Sequence, residues 1–402
     1  MKVLVVATKA PWPPIDGGRL LLRNTVEGLA AAGCRATLVA PVDPARFDLS
    51  AVREALAGFC EPHFVPAPSS GRTPSPAALV RALVGGTPLS IVRHALPAVR
   101  REVQRRLETE RFDLVHAEQL QAFPQTEPAF AGGLPVVLRA QNVESDLWQE
   151  AARRPPAWRR ALLALEARRL ARWEGEAVRR AATTLALTAE DAARLRSLGG
   201  PGADVAVLRA PFPELPAVAG EPLPGDPAVV VLGSAGWAPN EDSVAWFLAA
   251  VWPAVIAAIP GAVLHLFGAL PARHLPAAVV RHPAPADSAE AFRPGALLAV
   301  PLRIASGVRM KVLEAWSRGV PVVGTRAALA GLEVEDGREA LVAEDAGAFA
   351  GALTRLHRDP GLAVRLVAAG HRARRERHDP SRLTAELLAA YERAVSGRGA
   401  SR

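Results

Sequence analysis

Short apolar segments alternate with longer amphipathic segments along most of this chain, and no other feature limits the possible fold as strongly. Strand-like runs occupy residues 3–7, 36–41, 112–118, 135–142, 183–188, 228–234, 262–268, 297–302 and 320–325. Helix-like periodicity lies between and after them, at 19–32, 241–258, 346–357 and 361–395. Apolar strands separated by helices pair in parallel, because crossover helices cover the faces of the sheet. The alternation therefore predicts an α/β protein.

A proline- and glycine-rich stretch divides this pattern into two halves. Residues 211–228, PFPELPAVAGEPLPGDPA, show no periodicity and are typical of a linker. The length of 402 residues suits about two domains. We predict Rossmann-like domains at 1–212 and 229–380, a linker at 213–228, and a C-terminal helix and tail at 381–402. Two such domains facing each other leave a cleft, a usual place for a ligand.

Composition narrows the classes of partner and compartment. Two cysteines, Cys34 and Cys60, cannot form a disulfide framework, which favours a reduced, cytoplasmic setting. The net charge of +8 suits anionic lipid, nucleic acid or phosphate-rich substrates alike. The sequence has no zinc-type Cys/His spacing and no interleaving of aromatic with basic residues, so nucleic acid is not expected as a partner.

Two segments raise the question of membrane contact. Residues 243–272 lack Asp, Glu, Lys and Arg and are long enough to span a bilayer. Pro260-Gly261 interrupts them, so a buried helix followed by a strand is the favoured prediction. The arginine-rich segment 153–180 predicts a helix with a solvated basic face, and the alternative is an amphipathic helix lying on a membrane surface.

The segment 301–325, PLRIASGVRMKVLEAWSRGVPVVGT, carries the strongest functional signal. Ser306 and Gly307 form a polar loop that opens a one-sided helix, and the helix stops at Gly319. The free N–H groups and positive dipole end of such a helix suit a phosphate. Glu314 follows about two turns further in, where its carboxylate can accept hydrogen bonds from sugar hydroxyls. The apolar positions are predicted to face the core: Val308, Val312, Leu313 and Trp316.

Polar groups also follow the strands of the first half. Asp16-Gly17-Gly18-Arg19 is predicted as a loop before a helix, where paired glycines let a ligand approach the backbone. His116 closes a predicted strand beside Glu118, and its imidazole could bind a sugar hydroxyl or move a proton. For each feature the alternative is structural: a tight turn, and a histidine satisfied at a strand end.

Several of these motifs together resemble glycosyltransferase family 4, which has the GT-B fold. The opening PWPPIDGGRLLLRNTVEGLAAAGCRATLVAP, the strand DLVHAE and the segment RAQNVESDLW are similar to the first domain of that family. The segments VLGSAGWAPNEDSVAWF and PLRIASGVRMKVLEAWSRGVPVVGT are similar to its second domain. The resemblance covers nearly the whole chain, and its specificity comes from finding the first and last motifs together.

The resemblance implies a retaining transferase that needs neither metal nor cofactor. It would move a sugar from a UDP- or GDP-linked donor to a saccharide, lipid-linked or polysaccharide acceptor, in the cytoplasm or at the inner face of the cell membrane. By matching position, Glu314 would bind the donor ribose, Gly307 and Val308 the diphosphate, and His116 would lie near the transferred sugar. Gly17 and Gly18 would line the cleft from the first domain, and Arg303 and Ser306 are also expected to bind the donor. Gly233 and Ser234 end the first strand of the second half and are predicted as one wall of the nucleotide site, with a structural turn as the alternative.

The sequence departs from the family pattern at two places. Ser306 stands where many members have the first of two glutamates, and the stretch GSAGWAPN after residue 232 lacks the usual cations. We therefore expect Arg303, Arg309 or Lys311 to neutralise the departing diphosphate. Two alternatives stay open: another GT-B enzyme, such as a sugar-nucleotide epimerase or a phosphorylase, and a catalytically inactive nucleotide-binding or scaffold subunit.

Overall fold

The computed structural model contains two α/β units, each built on its own parallel sheet. It describes residues 1–67, 82, 86–152, 157–233, 238–268, 275–285, 287–304 and 306–399. The first unit contains Met1–Pro14, Gly18–Pro211 and Pro380–Arg402, and the second contains Ile15–Gly17 and Phe212–Asp379. Two Rossmann-like sheets were predicted from the alternating pattern, and both are present.

The first unit has a seven-stranded sheet in the order β3-β2-β1-β4-β5-β6-β7, and every strand pair is parallel. Its elements in chain order are β1 (Lys2–Ala7), α1 (Gly17–Ala31), β2 (Arg35–Val42), α2 (Leu49–Leu56), β3 (Glu61–Pro66), α3 (Leu89–His94), α4 (Pro97–Thr109), β4 (Leu114–Glu118), a 3-10 turn (Leu120–Thr126), α5 (Glu127–Ala131), β5 (Val136–Ala140), α6 (Glu144–Ala151), α7 (Ala157–Arg180), β6 (Thr183–Ala186), α8 (Ala189–Gly199) and β7 (Val205–Val207). Apolar cores cover both faces of this sheet, which is why its central strands are apolar at nearly every position.

The second unit has a six-stranded sheet in the order β10-β9-β8-β11-β12-β13, again with parallel pairs. Its elements are β8 (Ala228–Leu232), α9 (Ala238–Trp246), a π-helical turn (Phe247–Val251), α10 (Trp252–Ala258), β9 (Val263–Phe267), β10 (Val279–His282), a 3-10 turn (Ser288–Ala291), β11 (Ala296–Val300), α11 (Met310–Arg318), β12 (Val322–Gly324), α12 (Arg326–Leu329), β13 (Leu341–Val342), α13 (Ala346–Arg358) and α14 (Pro360–Arg377). In both sheets the order reverses beside the first strand, and ligands of doubly wound folds bind at such points.

The C-terminal segment differs from the prediction of one long helix at 361–395. The structure has two helices there, α14 and α15 (Pro380–Gly399), separated at His378 and Asp379. The break has a local cause, since Pro380 disfavours helical geometry at the residue before it. Helix α15 returns to the first unit, where Tyr391 is fully buried in the core. The predicted C-terminal helix is therefore part of the first unit.

Two helix starts also differ from the prediction. Gly17 and Gly18 form the first turn of α1 instead of a loop before it. Helix α9 begins at Ala238, three residues before the predicted start at 241, with a proline in its first turn.

The apolar stretch predicted as a buried helix and strand folds in that way. Phe247, Val251 and Val255 are fully buried in the core of the second unit, and β9 follows after Pro260-Gly261. By length and composition, Asn240–Ala258 is the one helix among the described residues that could cross a membrane. Helices in the cores of soluble proteins pass the same test, so this result is weak evidence for a membrane span.

The predicted linker is held against the second unit at its beginning. Leu215 N–H donates to Ser317 Oγ at 2.6 Å, and the Ser317 hydroxyl donates to Pro213 O at 3.1 Å. The Arg374 guanidinium contacts Phe212 O at 3.1 Å and Glu214 at 3.0 Å. These bonds order the first residues of a segment whose sequence has no periodicity.

Candidate functional site

The residue that precedes helix α11 does not cap the helix with its side chain. Its first-turn neighbour Arg309 has extended backbone geometry and makes no capping hydrogen bond to the helix. Gly307 has φ 70°, a left-handed conformation that favours glycine. Val312, Leu313 and Trp316 are buried as predicted, which fixes the helix against the sheet. The helix N-terminus therefore presents N–H groups and a positive dipole end to an anion.

Lys311 brings a cation to the carboxyl end of β8. Its Nζ donates to the carbonyl oxygen of Leu232, the last residue of that strand. Gly233, Asn240 and Ser243 line a small cavity together with this lysine. Burial, with a smaller contribution from the Arg309 charge, lowers the Lys311 pKa from 10.5 to about 7. A buried amine with such a pKa takes up a proton readily when an anion arrives.

The other two predicted cations have protein partners. Arg303 forms an ion pair with Asp242, with Nη2 2.7 Å from Oδ1, and its guanidinium carbon lies 5.4 Å from the centre of the Trp246 ring. Arg309 donates to the carbonyl oxygen of Ser306, inside the loop before α11. Arg309 therefore stabilises the loop before α11, whereas Arg303 is held by its ion pair with α9.

Glu314 lies buried one turn beyond Lys311, with 4% of its surface exposed. Its Oε1 accepts hydrogen bonds from Ser288 Oγ at 2.5 Å and from Arg318 Nε at 2.9 Å. Burial raises the pKa of this carboxyl, although the Ser288 and Arg318 hydrogen bonds oppose the shift. Both of these hydrogen bonds, from Ser288 and Arg318, end on Oε1 of Glu314. With respect to the described residues, Oε2 is therefore the oxygen that could accept a hydrogen bond from a sugar hydroxyl.

A second polar cluster lies at the carboxyl ends of β4 and β5 in the first unit. Gln119 Nε2 donates to Gln141 Oε1 at 2.7 Å, and Thr8 Oγ1 donates to Gln119 Oε1 at 2.5 Å. A Cβ on Gly18 would lie 2.8 Å from Gln141 Oε1 and 3.3 Å from Lys9 Nζ. The absence of a side chain at Gly18 therefore keeps this cluster close to the start of α1.

The backbone of Gln119 is strained. Its φ of 75° with ψ of 151° is a region that residues with a Cβ rarely adopt. Such strain persists where neighbouring contacts hold it, and Thr8 and Gln141 hold this side chain. Nothing in the sequence distinguished Gln119 from an ordinary loop residue.

His116 is fully buried, with both ring nitrogens hydrogen bonded inside the first unit. Nε2 lies 3.0 Å from Glu118 Oε2 and Nδ1 lies 2.7 Å from Tyr391 Oη. Burial disfavours the Glu118 anion, but the His116 hydrogen bond and the Arg139 charge together outweigh it and hold its pKa below the usual value. Tyr391 and Glu118 thus occupy both ring nitrogens of His116, which is the arrangement expected of the structural alternative, a histidine satisfied at a strand end.

A buried carboxylate organises the segment after β5. Glu174 of α7 accepts hydrogen bonds from the Glu144 N–H at 2.9 Å and from the Ser145 hydroxyl at 2.6 Å. It thereby caps the N-terminus of α6, which has no cap of its own. Burial raises the Glu174 pKa to about 7. Glu144 belongs to the motif RAQNVESDLW, whereas its distant partner Glu174 has no distinguishing signal in the sequence.

The predicted residues thus gather mainly at one place in the second unit. Seven of them lie around the start of α11 and the end of β8: Gly233, Ser306, Gly307, Val308, Arg309, Lys311 and Glu314. Arg303 instead pairs with Asp242 of α9. Gly18 and His116 belong to the first unit, and Ser234 lies outside the described residues. Within the described part of the chain, no three His, Cys, Asp or Glu side chains are grouped closely enough to hold a metal ion.

Two family models match the chain, one in each half. Residues 16–211 match the glycosyl transferase 4-like domain, and residues 226–359 match the glycosyl transferases group 1. The boundary between the two matches falls in the proline-rich segment. No curated protein matches the sequence significantly.

Solved structures resemble the chain over almost its entire length. HepE from Anabaena, solved with UDP-glucose, is 17% identical, with a TM-score of 0.64 over 97% of this chain and 100% of its own. Sucrose-phosphate synthase from Thermosynechococcus elongatus is 16% identical, with a TM-score of 0.67 over 98% and 99%. TarM from S. aureus, as a variant solved with UDP, is 8% identical, with a TM-score of 0.67 over 97% and 99%. At these identities the likeness shows the GT-B fold, which confirms the fold predicted from the sequence.

Proposed function

The chain belongs to the group 1 glycosyltransferases, and on that premise we propose that it transfers a hexose from a nucleoside diphosphate sugar, with retention and without a metal ion. The proposed acceptor is a saccharide, free, polymeric or lipid-linked. HepE was solved with UDP-glucose, which makes UDP-glucose the first donor to test. The donor would bind in the second unit, where α11 begins.

The position of Lys311 carries this proposal. The family resemblance calls for cations directly after the first strand of the second domain, and the sequence has none there. In the structure, Lys311 reaches across from α11, so that its ammonium group bonds the last carbonyl of that strand. This contact supports the proposal that Lys311, 79 positions after Leu232 in the chain, takes the role of the missing cation. Of the three candidate cations, we assign this role to Lys311.

The chemistry follows from where charge develops. The bond between the sugar C1 and the diphosphate oxygen breaks, and its electron pair goes to the diphosphate. N–H groups around Gly307 and Val308, together with Lys311, stabilise that negative charge without having to reorganise. The acceptor oxygen bonds C1 on the same face, and its proton passes to the departing phosphate. In this proposal no protein base is needed, and His116 supports the first unit through Tyr391 and Glu118.

The role of Glu314 can be tested with a nearly isosteric change. Glu314→Gln keeps an oxygen for Ser288 and Arg318, but it replaces the second oxygen with a donor that cannot accept from ribose. A hydrogen bond to a charged group contributes about 1.5–3 kcal/mol, so UDP affinity should fall roughly 10- to 100-fold in calorimetric titration.

The matched control for that experiment is Glu339→Gln, which changes a buried carboxylate of the same unit near the other end of α11. Wild-type protein should also lose affinity for UDP lacking the ribose hydroxyls, and Glu314→Gln should add little to that loss. Equal affinity of wild type and Glu314→Gln for UDP would refute the ribose role.

Turnover separates a transferase from the alternatives. UDP-glucose incubated with the protein and a panel of saccharide and lipid-linked acceptors should release UDP and form an α-linked product, as retention requires. A change in the sugar without an acceptor would favour an epimerase. Tight nucleotide binding without turnover on any acceptor would favour an inactive binding subunit, for which Ser306 in place of a glutamate is the motivating observation.

A further inference from the structure

One face of helix α7 combines exposed leucines with arginines. Leu162 is 55% exposed and Leu165 is 46% exposed, which is unusual for large apolar side chains in the middle of a long helix. Arg168 and Arg172 follow Leu165 by three and seven residues, so they lie on the same side of the helix. Both arginines are exposed. We call Leu162, Leu165, Arg168, Arg169 and Arg172 the leucine–arginine face.

The arginines of this face have no acidic partner. Among the described residues, Arg168, Arg169 and Arg172 form no ion pair, whereas Arg179 and Arg180 further along the helix pair with Glu176 and Glu127. The one acidic residue within the first half of α7, Glu166, is buried and accepts a hydrogen bond from the first N–H of α3. The leucine–arginine face therefore has three positive charges, and the acidic residue one turn beyond it, Glu176, already pairs with Arg179.

The opposite side of the helix explains why this face is outward. Ala167, Leu170 and Val178 are buried in the core of the first unit, and Glu174 caps α6. The contacts of α7 with the fold are thus satisfied without Leu162 or Leu165. A helix face that contacts only water usually has polar residues at its exposed positions. Leu162 and Leu165 therefore indicate a surface that contacts an apolar partner.

We propose that the leucine–arginine face binds the surface of an anionic phospholipid bilayer. A helix lying in the interface buries its apolar side chains at the level of the acyl chains. Flanking arginines extend along the surface, and their guanidinium groups contact lipid phosphates. Three unpaired arginines around two exposed leucines have this composition. The leucine–arginine face lies outside the donor site. This proposal is therefore independent of the proposed transferase activity and can be tested separately.

Co-sedimentation with lipid vesicles tests the proposal. Full-length protein should bind vesicles of phosphatidylcholine with 30% phosphatidylglycerol at low salt, and bind pure phosphatidylcholine at least tenfold less. Each basic residue at an anionic surface contributes roughly a factor of five, so Arg168→Gln with Arg172→Gln should lower the partition coefficient about 25-fold. Leu162→Ser with Leu165→Ser should lower it by a similar order.

Matched controls make the result specific to this face. Arg372→Gln with Arg375→Gln removes the same charge from exposed arginines of α14, and Val364→Ser changes an exposed valine there. These variants should bind vesicles like wild type, and all variants should keep the wild-type melting temperature and UDP affinity.

Three outcomes would overturn the proposal. The first is no binding of wild type to the anionic vesicles at low salt. The second is an equal loss in the α7 and α14 arginine variants, which would show attraction by net charge alone. The third is unchanged binding of the leucine variant, which would show that no apolar side chain enters the interface.

Discussion

Replacing Lys311 with methionine should make the protein more stable and at the same time a poorer nucleotide binder. Lys311→Met keeps an unbranched side chain as far as Cε and removes the amine that bonds Leu232 O. The two effects have opposite sign because the same buried charge opposes folding and favours the donor. No purely structural role of Lys311 predicts this combination.

The gain in stability follows from the pKa. Lys311 has its pKa lowered from 10.5 to about 7, chiefly by burial, so the unfolded chain holds the proton more tightly than the folded one. As pH falls from 10.5 towards 7, the free energy of unfolding of wild type therefore decreases, by about 1.4 kcal/mol per unit. This amounts to about 4 kcal/mol at pH 7. The lost hydrogen bond and the partial exposure of the residue reduce the expected gain to about 2–3 kcal/mol.

The loss in binding follows from the charge. An ammonium group about 5 Å from a phosphate contributes roughly 3 kcal/mol at an effective dielectric constant near 20. UDP affinity of Lys311→Met should therefore fall about 100-fold. At pH 8 the wild-type amine is mostly neutral before binding, so UDP binding should take up nearly one proton in wild type and almost none in the variant.

Two measurements check this prediction. Denaturation by urea between pH 6 and 10.5 should show an excess stability of Lys311→Met at neutral pH that disappears towards pH 10.5. Titration calorimetry in buffers of different ionisation enthalpy should show the proton uptake. A variant that is less stable at pH 7, or wild-type binding without proton uptake at pH 8, would show that the reasoning about this lysine is wrong.

Three further predictions concern the framework of the site. Glu174 has its pKa raised to about 7, so the free energy of unfolding should fall by about 3 kcal/mol between pH 4.5 and 7, and Glu174→Gln should flatten that slope in denaturation curves. Tyr391→Phe should lose about 1–3 kcal/mol of stability without changing UDP affinity, because it leaves His116 Nδ1 buried and unpaired. Gly268→Ala should cost about 2 kcal/mol or more and weaken UDP binding, since its Cβ would lie 1.8 Å from Gly233 O; a wild-type melting curve would contradict this.

Much of the fold could be predicted because apolar strands and amphipathic helices differ in period. Every predicted strand is present, and the buried side of α11 is the one that its periodicity indicates. Pro380 is a local signal for a helix break. The helical periodicity on both sides of it nevertheless led to the prediction of one continuous helix over 361–395. The docking of α15 on the first unit was not predictable, since the contact between Tyr391 and His116 joins residues 275 positions apart.

The site was predictable where its chemistry is local in the chain. Gly307, Lys311 and Glu314 belong to one loop and one helix, so their spacing places them together. The sequence leaves three candidates for the role that we propose for Lys311, because it does not show that Arg303 pairs with Asp242 or that Arg309 bonds the Ser306 carbonyl. Gln119 and Glu174 had no distinguishing signal, since strain and capping by a distant carboxylate arise only from tertiary contacts.

The central claim is that a nucleoside diphosphate binds at the start of α11, and amide hydrogen exchange with and without UDP tests it most directly. Peptides covering 306–316 and the end of β8 should exchange more slowly when UDP is bound, and this protection should be lost in Lys311→Met at the same UDP concentration. Protection confined to the first unit, with unchanged exchange at 306–316, would contradict the claim.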